Sequence, residues 1–197
     1  MSSLLPILIV VLLILLNGVF VAAEFAIIGV SRMDVERAVA KKRRGARTLQ
    51  FFVDDPRNKD RFIATAQLGI TAASLGLGMY GEHELAEWIA GQLEGWGAER
   101  WIAAHTLASI ISMAVLTYFH IVVGEMVPKA LALQRAATVS LWLAPMMRAF
   151  QLMTYPIVIG LNGIGNLLLR LIGIKRTAGG ADRYRTPEEI AYIVRES

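Results

Sequence analysis

Between Leu4 and Ile28 the chain carries a single charged residue, Glu24. Such a run is long enough to cross a hydrocarbon core of about 30 Å with some tilt. Nothing basic precedes Leu4, as a cleaved secretory signal would require, so the run reads as a retained transmembrane helix. Two further apolar runs follow, Phe62–Tyr80 and Ile102–Val123. Once segments lie in lipid their backbone polar groups must pair internally, which makes them helices. The balance of residues agrees: 55% are hydrophobic and 18% charged, against about 25% charged in soluble domains. There is no cysteine, so disulfides and thiolate metal sites are excluded.

Charge sets the topology. Residues 31–61 hold Arg32, Arg37, Lys41, Lys42, Arg43, Arg44, Arg47, Arg57, Lys59 and Arg61, whereas 81–100 hold five glutamates and one basic residue, Arg100. The basic segment should lie in the cytoplasm and the acidic one outside, which puts the N-terminus outside and the C-terminus in the cytoplasm. Ser31 with Asp34 is a helix start, Asp54-Asp55-Pro56 a stop, and Gly45 divides two short helices with Val35, Ala38, Val39, Leu49 and Phe52 on their apolar sides. Leu85, Trp88, Ile89, Leu93 and Trp96 suit a short helix at the interface, and Trp101 an aromatic belt at the start of the third span. A fourth crossing over 138–174 would carry Lys175, Arg176, Arg183 and Arg185 outside. The expectation is therefore three crossings plus a helix broken by Pro145 and Pro156 that wraps the bundle in the plane of the inner surface. Thr186-Pro187-Glu188-Glu189 is a capping box opening another helix.

The polar residues inside the spans are where function is expected, because such groups face a protein interior or a water-filled cavity. Gly124-Glu125-Met126-Val127-Pro128-Lys129 is the sharpest case. Proline has no N–H, so the Gly124 carbonyl loses its helical partner one residue from the Glu125 carboxylate. Two adjacent oxygens suit a hard cation such as Mg²⁺; a kinked helix end with Glu125 paired to Lys129 is the other reading. Asn17 and Glu24 share a face of the first span. Asn17 reads as a ligand or as interhelical glue, Glu24 as a ligand or as the partner of a basic residue. Gln67, Thr71, Ser74 and Gly78 form one polar stripe on the second span, whose hydroxyls and amides could replace water around an ion or simply pack helices. His83 and His105 have no companion ligands at metal spacing and read as structural or solvated.

Other classes find no support. The basic residues flank apolar segments, so a membrane surface accounts for them and nucleic acid is not a partner. No nucleophile–base pair, phosphate loop or catalytic metal cluster is present, and an enzyme is not expected.

Three stretches resemble the DUF21 transmembrane domain of the CorC/CNNM magnesium transporters. They are Asn17-Gly18-Val19-Phe20-Val21-Ala22-Ala23-Glu24-Phe25-Ala26, Ala66-Gln67-Leu68-Gly69-Ile70-Thr71-Ala72-Ala73-Ser74-Leu75 with Gly81-Glu82, and Gly124-Glu125-Met126-Val127-Pro128-Lys129, in family order. The resemblance implies an all-α integral membrane fold: three transmembrane helices, short intracellular helices and a juxtamembrane belt helix. It assigns 1–180 to that domain and 181–197 to the start of a cytoplasmic linker toward nucleotide-binding CBS domains, through which alone ATP would act. It also implies a plasma-membrane homodimer exporting Mg²⁺ in exchange for Na⁺. The implied Mg²⁺ site opens inward between the three helices, with protein oxygens replacing the hydration shell. Its ligands would be Glu125, Gly124, Ser74 and Thr71, with Asn17, Gln67 and Glu24 as further contributors. Some relatives have serine where Val21 stands, and valine cannot ligate. The rival reading is a membrane-anchored regulator that senses Mg²⁺ and nucleotide without transport.

Overall fold

The computed structural model describes residues 4–92 and 98–173, and all of the regular structure in them is helical. The chain is an all-helical integral membrane domain. Helix α1 runs from Leu4 to Gly29, followed by two short helices, α2 (Arg32–Ala40) and α3 (Ala46–Asp54). Ser31 caps α2 by accepting the Asp34 N–H at 3.1 Å, and Asp55 caps α4 (Pro56–Gly76) by accepting the Arg57 N–H at 2.8 Å, with Pro56 in the first turn. These are the boundaries expected from sequence. Gly45 begins α3 with φ +81°, a left-handed conformation that favours glycine.

The second span differs from expectation. It starts at Pro56 rather than Phe62, and it does not stop near Tyr80. A π-helical segment, Leu77–Gly81, carries it into α5 (Glu82–Gln92), so the acidic stretch extends the spanning helix. The glycines at 76, 78 and 81 do not end it: the Leu77 N–H still reaches the Ala73 and Ser74 carbonyls, and the helix continues through the π-helical segment. Leu93 and Trp96 lie outside the described residues, as do the side chains of Trp88, Ile89, Trp101 and His105. His83 is exposed and pairs with Glu87 at 3.2 Å.

The third span is α6 (Ala98–Phe119), a second π-helical segment (His120–Met126) and α7 (Val127–Gln134). The chain then turns at Arg135 into α8 (Ala136–Leu171). Here the expected breaks are absent: Pro145 and Pro156 lie inside one continuous helix. Pro145 frees the Leu141 carbonyl four residues earlier. That carbonyl is covered by Gly45, where a β-carbon would collide with the Leu141 oxygen and come within 3.4 Å of the Pro145 Cγ.

Four helices are long and apolar enough to cross a membrane by length and composition, α8 among them. Its contacts, however, keep its first half at one end of the bundle. Ala136 meets Gly29 at the end of α1, Leu141 meets Gly45, and Arg148 lies 4.1 Å over the Phe51 ring while donating to Gln151. Tyr155 still lies beside Arg61, near the start of α4. By then α8 has advanced about 28 Å at 1.5 Å per residue, nearly a full hydrocarbon thickness. A helix crossing the bundle would have reached its opposite end. Over 136–155, α8 is a belt around the basic end.

The main core sits under that belt. Phe20, Ile27, Val35, Leu49, Phe52, Phe62 and Met147 are buried there, with Phe52 edge-on to Phe62 and Phe20 against Phe150. The rim thus fixes the halves of α1 and α4 nearest the basic end side by side. The linker expected at 181–197, with its helix start at Thr186, lies outside the described residues.

Candidate functional site

The site begins with Pro128. An α-helical turn would drive its ring into the Gly124 carbonyl. The π-helical segment just before it widens the turn, and the Val127 N–H bonds to Val122 five residues back. The displaced carbonyl of Gly124 is then met by α1, where the Asn17 Nδ2 donates to it at 3.0 Å. The two backbones approach this closely because position 18 is glycine: a β-carbon there would lie 2.9 Å from the Pro128 Cγ and 3.3 Å from the Val123 carbonyl oxygen. Asn17 is 2% exposed, and its other end is also engaged, Oδ1 accepting the Ser74 hydroxyl at 3.2 Å. One carboxamide therefore joins all three spans, as the interhelical reading of Asn17 requires.

Above this junction, toward the basic end, lies a cavity of about 420 Å³ lined by Asn17, Val21, Glu24, Phe25, Gln67, Ile70, Thr71, Ser74, His120 and Glu125. Six of the seven residues expected from sequence meet here. The seventh, Gly124, is not among the lining residues; its carbonyl is turned to Asn17. The stripe on α4 holds for Gln67, Thr71 and Ser74 but loses Gly78, which lies past the start of the π-helical segment with nothing within 4 Å of its β-carbon position. Val21 occupies the α1 wall with an apolar side chain, so this wall offers Asn17 and Glu24 as its side-chain oxygens. Glu24 accepts the Gln67 Nε2 at 3.1 Å, which leaves the Gln67 carbonyl oxygen available. Among the described residues no ion pair joins Glu125 to Lys129; the Lys129 ammonium lies 4.4 Å from the centre of the Phe25 ring instead.

His120 is the polar lining residue that sequence reasoning missed. In an α-helix, residues five apart point about 140° away from each other at 3.6 residues per turn, so His120 would not be grouped with Glu125. A π-helical turn closes over five residues and brings both to one wall. Pro128 was the available signal, since a π bulge is one way a helix accommodates a proline without breaking.

Chemically, the cavity offers two carboxyl groups, two hydroxyls, two amide oxygens and one imidazole. When both carboxyls are ionised their charge matches that of a divalent cation. Among the described residues no three His, Cys, Asp or Glu side chains converge as a tight metal group. The volume has room for several waters at about 30 Å³ each in the liquid. Oxygens of this kind could take a hard cation that keeps part of its water, the manner in which Mg²⁺ is usually bound.

Comparison with known proteins agrees with the architecture. The profile of the cyclin M transmembrane N-terminal domain matches residues 8–197. The chain is 32% identical to UPF0053 protein YhdT of Bacillus subtilis over 94% of its own length and 39% of that protein. It is 31% identical to uncharacterized protein Rv1841c of Mycobacterium tuberculosis over 89% of the chain and 48% of that protein. It is 30% identical to UPF0053 protein sll0260 of Synechocystis, over 82% and 35%. The chain thus spans less than half the length of these relatives.

Proposed function

The chain belongs to the cyclin M transmembrane N-terminal domain family, and from that premise we propose that it moves Mg²⁺ across the membrane, as an exporter driven by inward Na⁺ movement. The observation that carries the reading is the cavity itself: Glu24, Gln67, Thr71, Ser74 and Glu125 come from three different spans and face one volume. Ordinary helix packing would bury such groups against each other. Here Glu125 remains exposed to the cavity, with no ion pair among the described residues. Intramembrane carboxylates without counter-ions mark ion pathways by default.

In this reading the cation enters from the basic end, meets Glu125 and Glu24, and exchanges some of its waters for the hydroxyls of Thr71 and Ser74. Rocking of the third span against α1 would then expose the site alternately to the two sides, in the manner of secondary transporters. The working unit is a homodimer in the plasma membrane with the N-terminus outside, an orientation supported by the basic α2–α3 region.

The test is Mg²⁺ flux into or out of proteoliposomes, with and without a Na⁺ gradient, beside Glu125→Ala. Gradient-dependent flux that disappears in the variant supports coupled transport. Saturable Mg²⁺ binding with no flux from correctly inserted protein replaces the transporter with a Mg²⁺-sensing membrane regulator.

A further inference from the structure

We propose that His120 is a positioning residue of the cation cavity, holding the Ser74 hydroxyl in the orientation in which its oxygen meets the ion. This rests on the reading of the cavity as a cation site.

Counting hydrogens fixes the direction of each bond. Asn17 Nδ2 donates to the Gly124 carbonyl, which sets the carboxamide with Oδ1 toward α4. Oδ1 can only accept, so the single hydrogen of Ser74 is committed to it at 3.2 Å. Ser74 Oγ also lies 3.4 Å from His120 Nε2. With its own hydrogen spent, the hydroxyl can only accept there, so Nε2 carries the hydrogen. His120 therefore donates to Ser74, Ser74 to Asn17 and Asn17 to Gly124. The relay leaves the second π-helical segment at His120, passes through α4 and α1, and returns to the same segment four residues on.

The closure has a consequence for Ser74. Of its two lone pairs one is occupied by His120, and the other is left for the cavity. A hydroxyl so tethered on two sides does not rotate, and an oxygen already in place binds an ion better than one that must be ordered on binding. The imidazole is itself held: its Cδ2 lies 3.0 Å from where a β-carbon of Gly124 would be, so the ring sits close against that glycine.

The measurement is calorimetric titration of Mg²⁺ into the full chain in lipid nanodiscs, using His120→Leu, His120→Gln, Ser74→Ala and the Ser74→Ala/His120→Leu double variant. His120→Leu should weaken Mg²⁺ binding by about three- to tenfold, the range of one net hydrogen bond. His120→Gln, which places an N–H near the reach of Nε2, should restore it to within about twofold of the unsubstituted chain. Adding His120→Leu to Ser74→Ala should change nothing further, because the two act through one bond. Equal binding by the unsubstituted chain and His120→Leu overturns the inference. So does an undiminished loss in the Ser74→Ala background. Should His120→Leu fail to fold, Gln against Asn decides: Asn reaches only as far as Nδ1, and equal binding by both overturns the inference. No binding by the unsubstituted chain removes the cation reading and this inference together, whereas binding indifferent to His120 removes the inference alone.

Discussion

Replacing Asn17 by leucine, of similar size, removes two hydrogen bonds and leaves a carbonyl with no alternative donor four residues on. The Gly124 oxygen cannot turn to residue 128, which is proline, so the substitution orphans it inside the bundle. An unsatisfied buried carbonyl costs about 1–3 kcal/mol. The lost bond to Ser74 adds about 0.6 kcal/mol, the average for interhelical bonds in membranes, and about 1.7 at most. We expect Asn17→Leu to destabilise the domain by about 2–4 kcal/mol, read as reversible denaturant unfolding in mixed micelles. The control is Pro128→Ala, which returns an N–H to position 128 and gives Gly124 a helical partner. In that background Asn17→Leu should cost about 1–2 kcal/mol less, a coupling typical of groups sharing one partner. An identical cost in both backgrounds would refute the assignment of Gly124 as the group that Asn17 satisfies.

Three further outcomes follow from the same geometry. Glu125→Gln keeps the shape of the cavity but removes a charge, and should weaken Mg²⁺ binding by at least tenfold in equilibrium dialysis while leaving the unfolding midpoint within a few degrees of the parent. Gly45→Ala puts a β-carbon against the Leu141 carbonyl at φ +81°; it should destabilise the domain by about 2–4 kcal/mol, the overpacking and left-handed strain together. Because the chain has no cysteine, single nitroxide labels can be placed at Thr138 and Met153, and their depths by oxygen and nickel relaxation should agree within a few ångströms. A crossing helix would separate the two by about 22 Å, at 1.5 Å per residue.

The parts legible in the sequence were those set by local chemistry. Ser31, Asp55, Pro56 and Gly45 bound the short helices where caps and breakers placed them, and charge set the first part of α8 apart from the crossing helices, against its hydropathy. Six cavity residues were visible because a polar group in an apolar run is costly unless it faces protein or water. What could not be read depended on groups distant in the chain. The carbonyl that Pro145 frees inside α8 is covered by Gly45, a hundred residues earlier in the chain. Gly81 does not end the second span because a π-helical turn absorbs it. His120 was hidden for the same reason: the period that would group it with Glu125 is not the one by which helices are read.

Pro128 and Pro145 share one arrangement. Each strips a carbonyl of its helical donor, Pro128 at Gly124 and Pro145 at Leu141, and in each case a glycine of another element comes within contact of the proline Cγ, Gly18 at 2.9 Å and Gly45 at 3.4 Å from the β-carbon position. A glycine opposite a proline lets one backbone approach another at the point where the second has lost a bond. At the rim the approach is all there is, and it ties the belt helix to the α2–α3 turn. In the core a polar neighbour has been added: Asn17 adjoins Gly18 and fills the vacancy with a donor, and its remaining oxygen reaches on to Ser74. The difference between a packing joint and a polar site is thus one residue beside the glycine. The cavity adjoins this junction, with Asn17 and Ser74 in its lining.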